Sequence, residues 1–464
     1  MNSETISATS VNQFKNNLKG LLLQPGDEGY DDCRSIWNGM IDHRPSLIVC
    51  CENVQDVIAS VHFAKENGLP VSVKGGGHGV AGKAVCNDGL MIDFSRMNAV
   101  TVDPTSGTAI VQPGAKLGDL DRESSKRGLL TTGGIVSSTG VAGLTLGGGI
   151  GYLARKYGLA LDNVISLDVI TADGNLLHCS KSENTDLFWA LRGGGGNFGV
   201  VVSFEFQLYK ENTNILTAQI FYPMNDARTA LIAYRDLMKT APDELSAYGL
   251  IASIPPVEAF PEELHGTPVC FFLATYAGNH DDGRKLLEPF KNIGNPIMAV
   301  VDPLPYEELQ KNFDAGVPKG QRYYWKHHLM NQLSDEAIDV FLSFARNKKG
   351  PLSLVGFEPL GGAISKVPKD HTAFTGRDAN FALGIWTGWM DPSDDDEIIG
   401  WAREFYEAMK PFASGGYYSN YFDKDDDSEI ADAYGKNYNR LQQVKNKYDP
   451  NNFFNQNFNI KSEN

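Results

Sequence analysis

One histidine lies inside a run of glycines, and this feature constrains the fold more than any other in the chain. His78 stands within residues 71–82, VSVKGGGHGVAG, where five of twelve residues are glycine. Glycine has no Cβ, so it lets a backbone approach a ligand closely and adopt positive φ, although each glycine loses more conformational entropy on folding. Packing explains neither these glycines nor the imidazole. The run therefore predicts a backbone wrapped around a ligand, with His78 as its reactive group.

A dinucleotide-binding Rossmann turn is the first alternative for this run. Residues 77–82 match the pattern G-x-G-x-x-G and follow a strand-like segment. A Rossmann turn opens a helix, however, and residues 83–89 show no helical period of apolar residues before the next strand-like segment, 90–94. The order strand, glycine loop, strand indicates a different nucleotide-binding geometry.

Length and charge narrow the class of protein. The chain has 464 residues, 42% of them hydrophobic and 21% charged, which is enough for two domains with full cores. A net charge of −16, with no cluster of Lys and Arg, argues against binding nucleic acid or an anionic membrane, so a small molecule is the expected partner. The polar start, MNSETIS, and the lack of an apolar stretch of about 18 to 20 residues predict a cytoplasmic protein without signal peptide or transmembrane helix.

No metal site is expected. His327 and His328 are adjacent, and adjacent residues on a helix do not share a face; no carboxylate stands at ligand spacing from them. The acidic stretch 423–429 begins like a calcium loop, but Ser428 replaces the turn glycine and Tyr434 the closing glutamate, so we expect a solvated loop. Free thiols are expected at the six cysteines, which show no C-x-x-C spacing: Cys33, Cys50, Cys51, Cys86, Cys179 and Cys270.

The apolar pattern divides the chain into two regions. Residues 46–210 are rich in glycine and alternate strands with two short helices, the first beginning at Asn53 within a βαβ unit. From about residue 213 the segments lengthen and lose glycine, which is typical of an antiparallel sheet covered by helices. Strands are predicted at residues 46–51, 71–73, 90–94, 108–111, 164–171 and 200–208, and then at 247–254, 269–276, 352–358 and 381–389. Helices of the second region are predicted at 226–238, at 281–290 and from a cap at Ser393 and Asp394 to Met409.

A second glycine-rich run, residues 140–152, follows about sixty residues after the first and is expected to form the opposite wall of a long ligand site. Residues 149–154 again mimic the dinucleotide pattern, with Asp168 and Asp173 near the acidic spacing, but no strand precedes them. A third run, 192–199, fits a tight turn as well as it fits a ligand contact.

These runs, together with IDFSRMNAVTVDP, DNVISLDVITADG, ENTDLFWALRGGGGNFGVV and the terminal YGKNYNRLQQVKNKYDPNNFF, resemble the FAD-linked oxidases of the berberine-bridge-enzyme-like group. That group belongs to the vanillyl-alcohol-oxidase, or p-cresol-methylhydroxylase (PCMH)-type, superfamily. The resemblance runs in order from Tyr30 to Asn459. It implies an α+β fold with a two-part PCMH-type FAD-binding domain, residues 1–212 plus the C-terminal segment 415–464. Residues 213–414 would form a substrate domain with an antiparallel sheet covered by helices.

The resemblance also implies covalent attachment of FAD. It assigns His78 as the residue joined to the flavin 8α-methyl, and a neutral imidazole is a competent nucleophile for that bond. Many relatives use a cysteine as a second attachment, whereas this chain has Val136 there. Attachment through His78 alone is therefore predicted, as in the hydroxynicotine-oxidase-like branch. Thr139 stands where relatives control oxygen access to the flavin, which favours an oxidase.

Residues of both glycine runs and of the C-terminal segment would hold the cofactor. Besides His78, the residues that the resemblance assigns to FAD binding are Lys74, Gly75, Gly76, Gly77, Gly79, Gly82, Gly114, Gly134, Thr139, Gly140, Gly143, Gly147, Gly148, Gly149, Gly151, Val200, Asn420, Asn457 and Asn459.

Catalysis in this family needs a base near the flavin. Hydride leaves a substrate C–H bond while the base takes a proton from the adjacent O–H or N–H. Tyr418, in a Tyr-x-Asn segment, is the first candidate; a nearby cation would have to lower its pKa, and Lys326 is one candidate for that cation. Glu358 is the second candidate and Tyr152 the third. Each also has an ordinary alternative, since most tyrosines pack in cores and an isolated glutamate is usually solvated.

We expect an FAD-dependent oxidase of a small alcohol, sugar, amine or secondary metabolite that passes electrons to O2 and releases H2O2. A flavin dehydrogenase with another acceptor and a flavin-binding protein without turnover are the alternatives. For Arg377 and Trp325, bracing of the domain interface is the alternative to a role in the site. Substrate identity depends on spatial neighbours in the middle domain, so neither the substrate nor the oligomeric state is predicted.

Overall fold

Short strands separated by glycine-rich loops make up the first half of the protein. The computed structural model describes residues 7–256, 258, 260–423 and 430–462. The strands up to residue 210 are β1 (Leu21–Leu23), β2 (Leu47–Cys50), β3 (Val71–Lys74), β4 (Leu90–Asp93), β5 (Val100–Asp103), β6 (Thr108–Val111), β7 (Leu129–Leu130), β8 (Val164–Ile170), β9 (Leu176–Ser180), β10 (Val200–Gln207) and β11 (Tyr209–Lys210). The helices are α1 (Ala8–Asn17), α2 (Tyr30–Arg34), α3 (Val54–Glu66), α4 (Leu117–Ser125), α5 (Val141–Gly147), α6 (Ala154–Tyr157) and α7 (Thr185–Gly194).

Two sheets organise this half. The first has the order β1-β2-β4-β3, and β2, β4 and β3 run parallel. Helix α3 connects β2 to β3 and is capped by Asn53, whose side chain accepts the backbone N–H of Asp56 at 3.0 Å, so the predicted βαβ unit is confirmed. The second sheet is antiparallel, with the order β5-β6-β10-β8-β9, and helices α4, α5 and α7 contribute to its core. Strand β3 therefore delivers the chain directly into the His78 loop.

The middle of the chain forms one antiparallel sheet with helices on it. Its strands are β12 (Asn214–Pro223), β13 (Leu245–Ser253), β14 (Pro268–Tyr276), β15 (Met298–Pro305), β16 (Arg322–Met330), β17 (Leu354–Pro359) and β18 (Phe381–Trp389). Its helices are α8 (Ala227–Thr240), α9 (His280–Leu287), α10 (Tyr306–Gln310), α11 (Asp335–Ala345), α12 (Ala363–Lys366) and α13 (Asp395–Met409). The seven strands have the order β15-β12-β14-β13-β17-β18-β16. The predicted fold class is confirmed.

The two faces of this sheet have different partners. Helices α8 and α13 pack on one face, where Val355 and Phe357 of β17 are fully buried. Because side chains alternate along a strand, Leu354 and Glu358 of the same strand point to the other face. That inner face is turned toward the first half of the chain, and it forms part of the site described below.

The C-terminal segment returns to the first half. Helices α14 (Ile430–Tyr434) and α15 (Tyr438–Tyr448) bury Ile430 and Leu441 in the same core as the five-stranded sheet. The Lys445 ammonium and the Asp449 carboxylate, both fully buried, form an ion pair at 2.7 Å, and Lys445 also donates to the carbonyl oxygen of Asn197 at 2.7 Å. The domain boundaries at residues 212 and 414 stay predictions.

Several sequence-based predictions need correction. The first half has helices α3 to α7 between residues 46 and 210 rather than two, because glycines at 143 and 147 obscure the helical period of α5. Strands β12, β15 and β16 and helix α11 were not predicted. His327 and His328 lie on strand β16 rather than on a helix, and they are buried on its opposite faces.

The other sequence-based predictions concern helix caps, thiols and membrane spans. Asp394 stands at the predicted N-cap position of α13 but makes no side-chain capping bond; the Asp391 carboxylate accepts the Ser393 N–H at 2.9 Å. All six cysteines are free thiols. Residues 424–429 of the acidic stretch lie outside the described residues. Within the described part of the chain, no helix combines the length and the apolar character that a membrane span requires.

Candidate active site

The site is a cavity of about 350 Å³ enclosed by both halves of the chain. One side consists of the loop after β3, the start of α5 and the C-terminal segment, and the other side is the inner face of the seven-stranded sheet. The predicted site residues found on its wall are Gly75, Gly76, Gly77, His78, Gly79, Gly82, Gly134, Thr139, Gly140, Gly143, Gly147, Val200, Glu358, Tyr418, Asn420 and Asn457.

The two glycine runs meet backbone to backbone on one side of the cavity, so the prediction that the second run forms the opposite wall is wrong. A Cβ on Gly76 would stand 2.4 Å from the backbone nitrogen of Gly140, and a Cβ on Gly140 would stand 2.4 Å from the nitrogen of Gly76. Gly77 has φ 65°, in the left-handed region that favours glycine. Glycine is therefore required here for the contact that places the His78 loop against the start of α5.

Other glycines leave space for a ligand. A Cβ on Gly79, Gly143 or Gly195 would meet no protein atom within 4 Å, although all three residues line the cavity. Side chains at these positions would extend into the cavity itself. The loop after β3, the helix α5 and the third glycine run thus form a cradle that a Cβ would partly fill.

Seven predicted residues lie outside the cavity wall. Lys74 turns away because its ammonium pairs with Asp93 at 2.9 Å. Gly114 is needed for packing, since a Cβ there would stand 1.8 Å from the carbonyl oxygen of Phe94. The residues that do not line the cavity are Lys74, Gly114, Gly148, Gly149, Gly151, Tyr152 and Asn459.

The glycines after α5 form a turn behind the wall. Gly148 and Gly149 have φ of 150° and 89°. A Cβ on Gly149 would stand 2.3 Å from the Cβ of Ala160, and a Cβ on Gly151 would stand 2.6 Å from the carbonyl oxygen of Gly133. These positions therefore require glycine for the turn and for chain packing, a demand that the sequence pattern alone does not distinguish from ligand contact.

His78 presents a neutral imidazole to the cavity. Its Nε2 atom is buried and has no hydrogen-bond partner among the described residues. Burial lowers the pKa of His78 to about 4, so the ring is uncharged at neutral pH. The ring stacks on the indole of Trp37, with centroids 4.4 Å apart and planes at 15°. The histidine is thus held in place with one nitrogen free to bind.

Tyr418 is held by three donors. Its hydroxyl oxygen accepts the backbone N–H groups of Gly149 at 3.1 Å and Ile150 at 3.4 Å, and the amide Nδ2 of Asn420 at 2.9 Å. These bonds favour the phenolate, but burial is the larger effect and raises the pKa of Tyr418 to about 12. The hydroxyl is therefore a fixed polar contact whose own proton is free to point into the cavity.

The predicted assistance from Lys326 is wrong. Lys326 lies on the helix-covered face of β16, where its ammonium sits over the rings of Tyr324 at 5.7 Å and Tyr406 at 5.4 Å. The neighbouring residue on the cavity side, His327, contacts the Tyr418 segment instead: its Nε2 accepts the backbone N–H of Tyr418 at 2.8 Å. Burial lowers the pKa of His327 to about 3, which keeps it neutral as that acceptor.

Glu358 is a fully buried carboxyl group on the sheet wall. Its Oε2 accepts the hydroxyl of Tyr421 at 2.8 Å, while Oε1 has no hydrogen-bond partner among the described residues. Burial raises the pKa of Glu358 to about 8. Glu358 is therefore a buried carboxyl group on the cavity wall with one oxygen that no described residue binds.

Aromatic rings surround Glu358. The ring of Tyr421 contacts Trp325 and Trp386 edge-on, with centroids 5.6 and 5.7 Å away. The indole nitrogen of Trp325 is buried without a partner in the described part of the chain. Sequence reasoning missed Trp37, Tyr421 and Trp386, because the strands and loops that carry them meet only in the folded chain. For Trp386, the signal in the sequence would have been its position on the inward-facing side of strand β18.

Arg377 and Tyr152 have structural positions. The Arg377 guanidinium binds the Asp162 carboxylate at 2.7 and 3.1 Å, and this ion pair joins the middle of the chain to the first half, as the bracing alternative predicts. Tyr152 is buried, packs edge-on against Tyr248 at 5.8 Å and lies off the cavity wall. Burial raises the pKa of Tyr152 well above its usual value. Trp325, in contrast, lines the cavity.

Comparison with known proteins agrees with this geometry. Residues 45–180 match the FAD binding domain family, and residues 417–461 match the family of berberine and berberine-like proteins. An FAD-linked oxidoreductase of Dictyostelium discoideum is 34% identical over 97% of this chain and 96% of its own length.

Two solved structures share the fold. The 6-hydroxy-D-nicotine oxidase of Arthrobacter nicotinovorans superposes with a TM-score of 0.85 at 27% identity, covering 96% of this chain and 98% of that one. The glucooligosaccharide oxidase of Acremonium strictum, whose FAD is 6-S-cysteinyl and 8α-N1-histidyl, superposes with a TM-score of 0.84 at 25% identity, covering 98% and 99%.

The fold and the cradle define a PCMH-type FAD-binding protein. The residues present fit that cofactor, because open glycines line the cavity and a buried histidine nitrogen there lacks a partner. With a relative 34% identical over almost its whole length, the chain belongs to the berberine-bridge-enzyme-like family of FAD-linked oxidoreductases.

Proposed function

We propose that this protein is an FAD-dependent oxidase in which the flavin is bonded to His78 and O2 is the electron acceptor. When bound, FAD supplies the hydride acceptor for a substrate C–H bond. The observation that carries the proposal is Glu358: a buried carboxyl group on the cavity wall with one unpaired oxygen and a pKa raised to about 8. Ordinary packing gives no reason to bury such a group.

The covalent bond is supported by the state of His78. A neutral imidazole is the nucleophilic form, and the lowered pKa keeps this ring neutral throughout the physiological range. Joining the ring to the flavin 8α-methyl breaks one N–H and one C–H bond. The two protons and two electrons released by this bond formation would end on O2 as H2O2, through the redox chemistry that bound FAD would supply. Val136 lines the cavity and has no thiol, which supports a single attachment, unlike the two in the glucooligosaccharide oxidase.

Glu358 is the residue we assign as the base. A useful base has a pKa near the working pH, and Glu358 at about 8 meets this condition better than Tyr418 at about 12. Tyr421 donates to Oε2 and so orients the carboxylate, leaving Oε1 to take a substrate O–H or N–H proton. Tyr418 would hold the substrate through its hydroxyl. Tyr152 is set aside because it does not reach the cavity wall.

Small molecules with an apolar ring fit the substrate side. Trp325, Trp386, Tyr248 and Tyr421 line it, and Glu358 is the carboxylate among them. The solved relatives are named as oxidases of a nicotine derivative and of an oligosaccharide, so the class to test includes amines, sugars, alcohols and secondary metabolites. Thr139 lies on the cavity wall, at the position where the family resemblance implies control of oxygen access, and this supports an oxidase over a dehydrogenase with another acceptor.

Anaerobic mixing tests the function. The purified protein is mixed without O2 with a panel of cyclic amines, phenols, benzylic alcohols and oligosaccharides, and the flavin absorbance is followed. We expect at least one compound to bleach the flavin, and we expect admitted O2 to restore the colour with one H2O2 per flavin. Bleaching that O2 does not reverse, while an artificial quinone does, would identify a dehydrogenase instead.

A further inference from the structure

Three aromatic rings from distant parts of the chain are stacked beside the flavin cradle. The indole of Trp37 lies between the imidazole of His78, at 4.4 Å and 15°, and the phenol ring of Tyr323, at 3.6 Å and 13°. Trp37 is almost completely buried. The Nε2 atom of His78 has no hydrogen-bond partner among the described residues, so no bond at this atom fixes the plane of the ring. Stacking on the indole can fix that plane instead.

Trp37 is itself anchored twice, once through its backbone and once through its indole. The backbone N–H of Trp37 donates to the carbonyl oxygen of Gly77 at 2.9 Å, next to the histidine. The indole nitrogen donates to the carbonyl oxygen of Val317 at 2.9 Å, in the segment that leads into β16. The ring that supports His78 is therefore tied both to the glycine loop and to the middle of the chain.

The next residue, Asn38, ties the other side of the same loop. Its Nδ2 donates to the carbonyl oxygens of Val80 at 2.8 Å and Tyr323 at 2.9 Å, and its Oδ1 accepts the backbone N–H groups of Tyr323 and Met40, each at 3.1 Å. Both donors and both acceptor positions of the amide are thus used. Residues 37 and 38 hold the loop before His78, at Gly77, and after it, at Val80.

A glycine loop without such an anchor would not hold an imidazole in one orientation. Five glycines give residues 71–82 more backbone freedom than an ordinary loop. Attachment would require a ring nitrogen of His78 to be held within reach of the flavin 8α-carbon, and rates fall steeply when reacting atoms are misplaced. The stack and the amide bonds remove this freedom before the cofactor arrives.

We propose that Trp37 is the positioning residue for flavin attachment, with Asn38 as its support. This inference rests on the proposed His78 linkage. Trp37 does not exchange atoms in the step: the new bond is the one from the imidazole nitrogen to the 8α-carbon, and the two protons and two electrons that leave end on O2 as H2O2. Its effect is to hold the nucleophile in the reactive orientation.

The test separates attachment from binding. Full-length protein is produced under riboflavin limitation and incubated in air with increasing FAD, and the covalent flavin in acid-precipitated protein is measured over time. For Trp37→Leu we expect a maximal attachment rate on the order of 10- to 100-fold lower, with the half-saturating FAD concentration unchanged. Trp37→Phe keeps a stacking ring and is expected to lie between Trp37→Leu and the wild type. The matched control is Trp401→Leu, which removes a buried indole of α13 in the core on the other face of the sheet and is expected to attach FAD at the wild-type rate.

Reversible binding provides the control for misfolding. FAD affinity is measured in the His78→Ala background with and without Trp37→Leu, and equal affinities are expected. The inference is overturned if Trp37→Leu attaches FAD at the wild-type rate, or if affinity and rate fall by the same factor, which would mark a purely structural residue. If Trp37→Leu yields no folded protein, Trp37→Met fills the space without a ring and is judged by the same criteria. Absence of covalent flavin in the wild type would instead refute the His78 linkage.

Discussion

Burial gives different pKa values to the two residues that could act as the base. It raises the pKa of Glu358 to about 8 and that of Tyr418 to about 12, although three donors oppose the shift at Tyr418. The two groups share the cavity wall but would differ in protonation between these values. This difference supports a carboxylate that accepts the proton and a phenol that keeps its own.

Replacing the carboxyl group of Glu358 tests this assignment. Glu358→Gln keeps the shape of the side chain but removes its basicity, so flavin reduction by substrate at saturation is expected to slow by about 10²- to 10⁴-fold. The measurement is stopped-flow absorbance without O2. Glu404→Gln, on the exposed face of α13, is the matched control and should leave the rate unchanged. A wild-type rate in Glu358→Gln would move the base to another residue.

The raised pKa of Glu358 also links activity and stability to pH with opposite signs. The ionised form is the base, so the rate of flavin reduction should rise with pH and level off above about pH 8. The folded state binds this proton more tightly than the unfolded chain, whose glutamate pKa is about 4.3, so the free energy of unfolding falls as pH rises from about 4 to 8. In thermal melts, the melting temperature of Glu358→Gln minus that of the wild type should therefore be larger at about pH 9 than at about pH 5. An equal difference in melting temperature at both pH values would contradict a buried carboxyl group with a raised pKa.

At the scale of elements, the sequence pattern predicted the bounds of strands that depend mainly on residues adjacent in the chain. Strand β6 and strand β18 have the predicted bounds, because short apolar runs between turn residues are sufficient to specify them. Strand β16 was missed because both of its faces are buried, one against helix α13 and one against the cavity, so polar and apolar residues do not alternate along it. Helix α5 was missed because its glycines serve the ligand cradle rather than the helix.

A substitution in α5 tests whether its glycines are needed for the ligand cradle rather than for the helix. Gly143→Ala places a methyl group in the cavity without touching protein atoms within 4 Å, so FAD retention should fall. Alanine is favoured over glycine in a helix, so the melting temperature of the FAD-free protein should not fall. Gly400→Ala in α13, also without a contact within 4 Å, is the control: helix stability should respond in the same way and FAD retention should not change. Full FAD loading of Gly143→Ala would contradict the cradle.

At the scale of the whole molecule, the site depends on contacts between distant segments. The sequence identified His78, Glu358 and Tyr418, but Trp37 and Tyr323 meet across 286 positions of the chain, and no spacing rule predicts such a contact. The C-terminal segment contributes Asn420 and Asn457 to the cavity wall, and α15 of the same segment packs into the core of the first half. We therefore expect the buried ion pair at the end of α15 to affect both stability and cofactor binding.

Breaking this ion pair should affect both properties. Asp449→Asn leaves the Lys445 ammonium buried without its counter-charge, which should lower the free energy of unfolding by about 3 to 5 kcal/mol and reduce FAD retention. Denaturant titration measures the first effect and the flavin-to-protein absorbance ratio the second. Asp186→Asn removes the partner of Lys447, in a more exposed ion pair that joins α15 to α7, and should cost at most about 1 kcal/mol. Equal losses in the two variants would contradict the importance given to burial.

The covalent bond to His78 is the central claim, and acid denaturation tests it most directly. Wild-type protein and His78→Ala are denatured in acid, and the flavin fluorescence of the pelleted polypeptide is measured, followed by mass analysis of its peptides. We predict that the wild type keeps its flavin on one peptide containing His78 and that His78→Ala releases it. Release of all flavin from the wild type, or a second flavin-bearing attachment, would contradict the account.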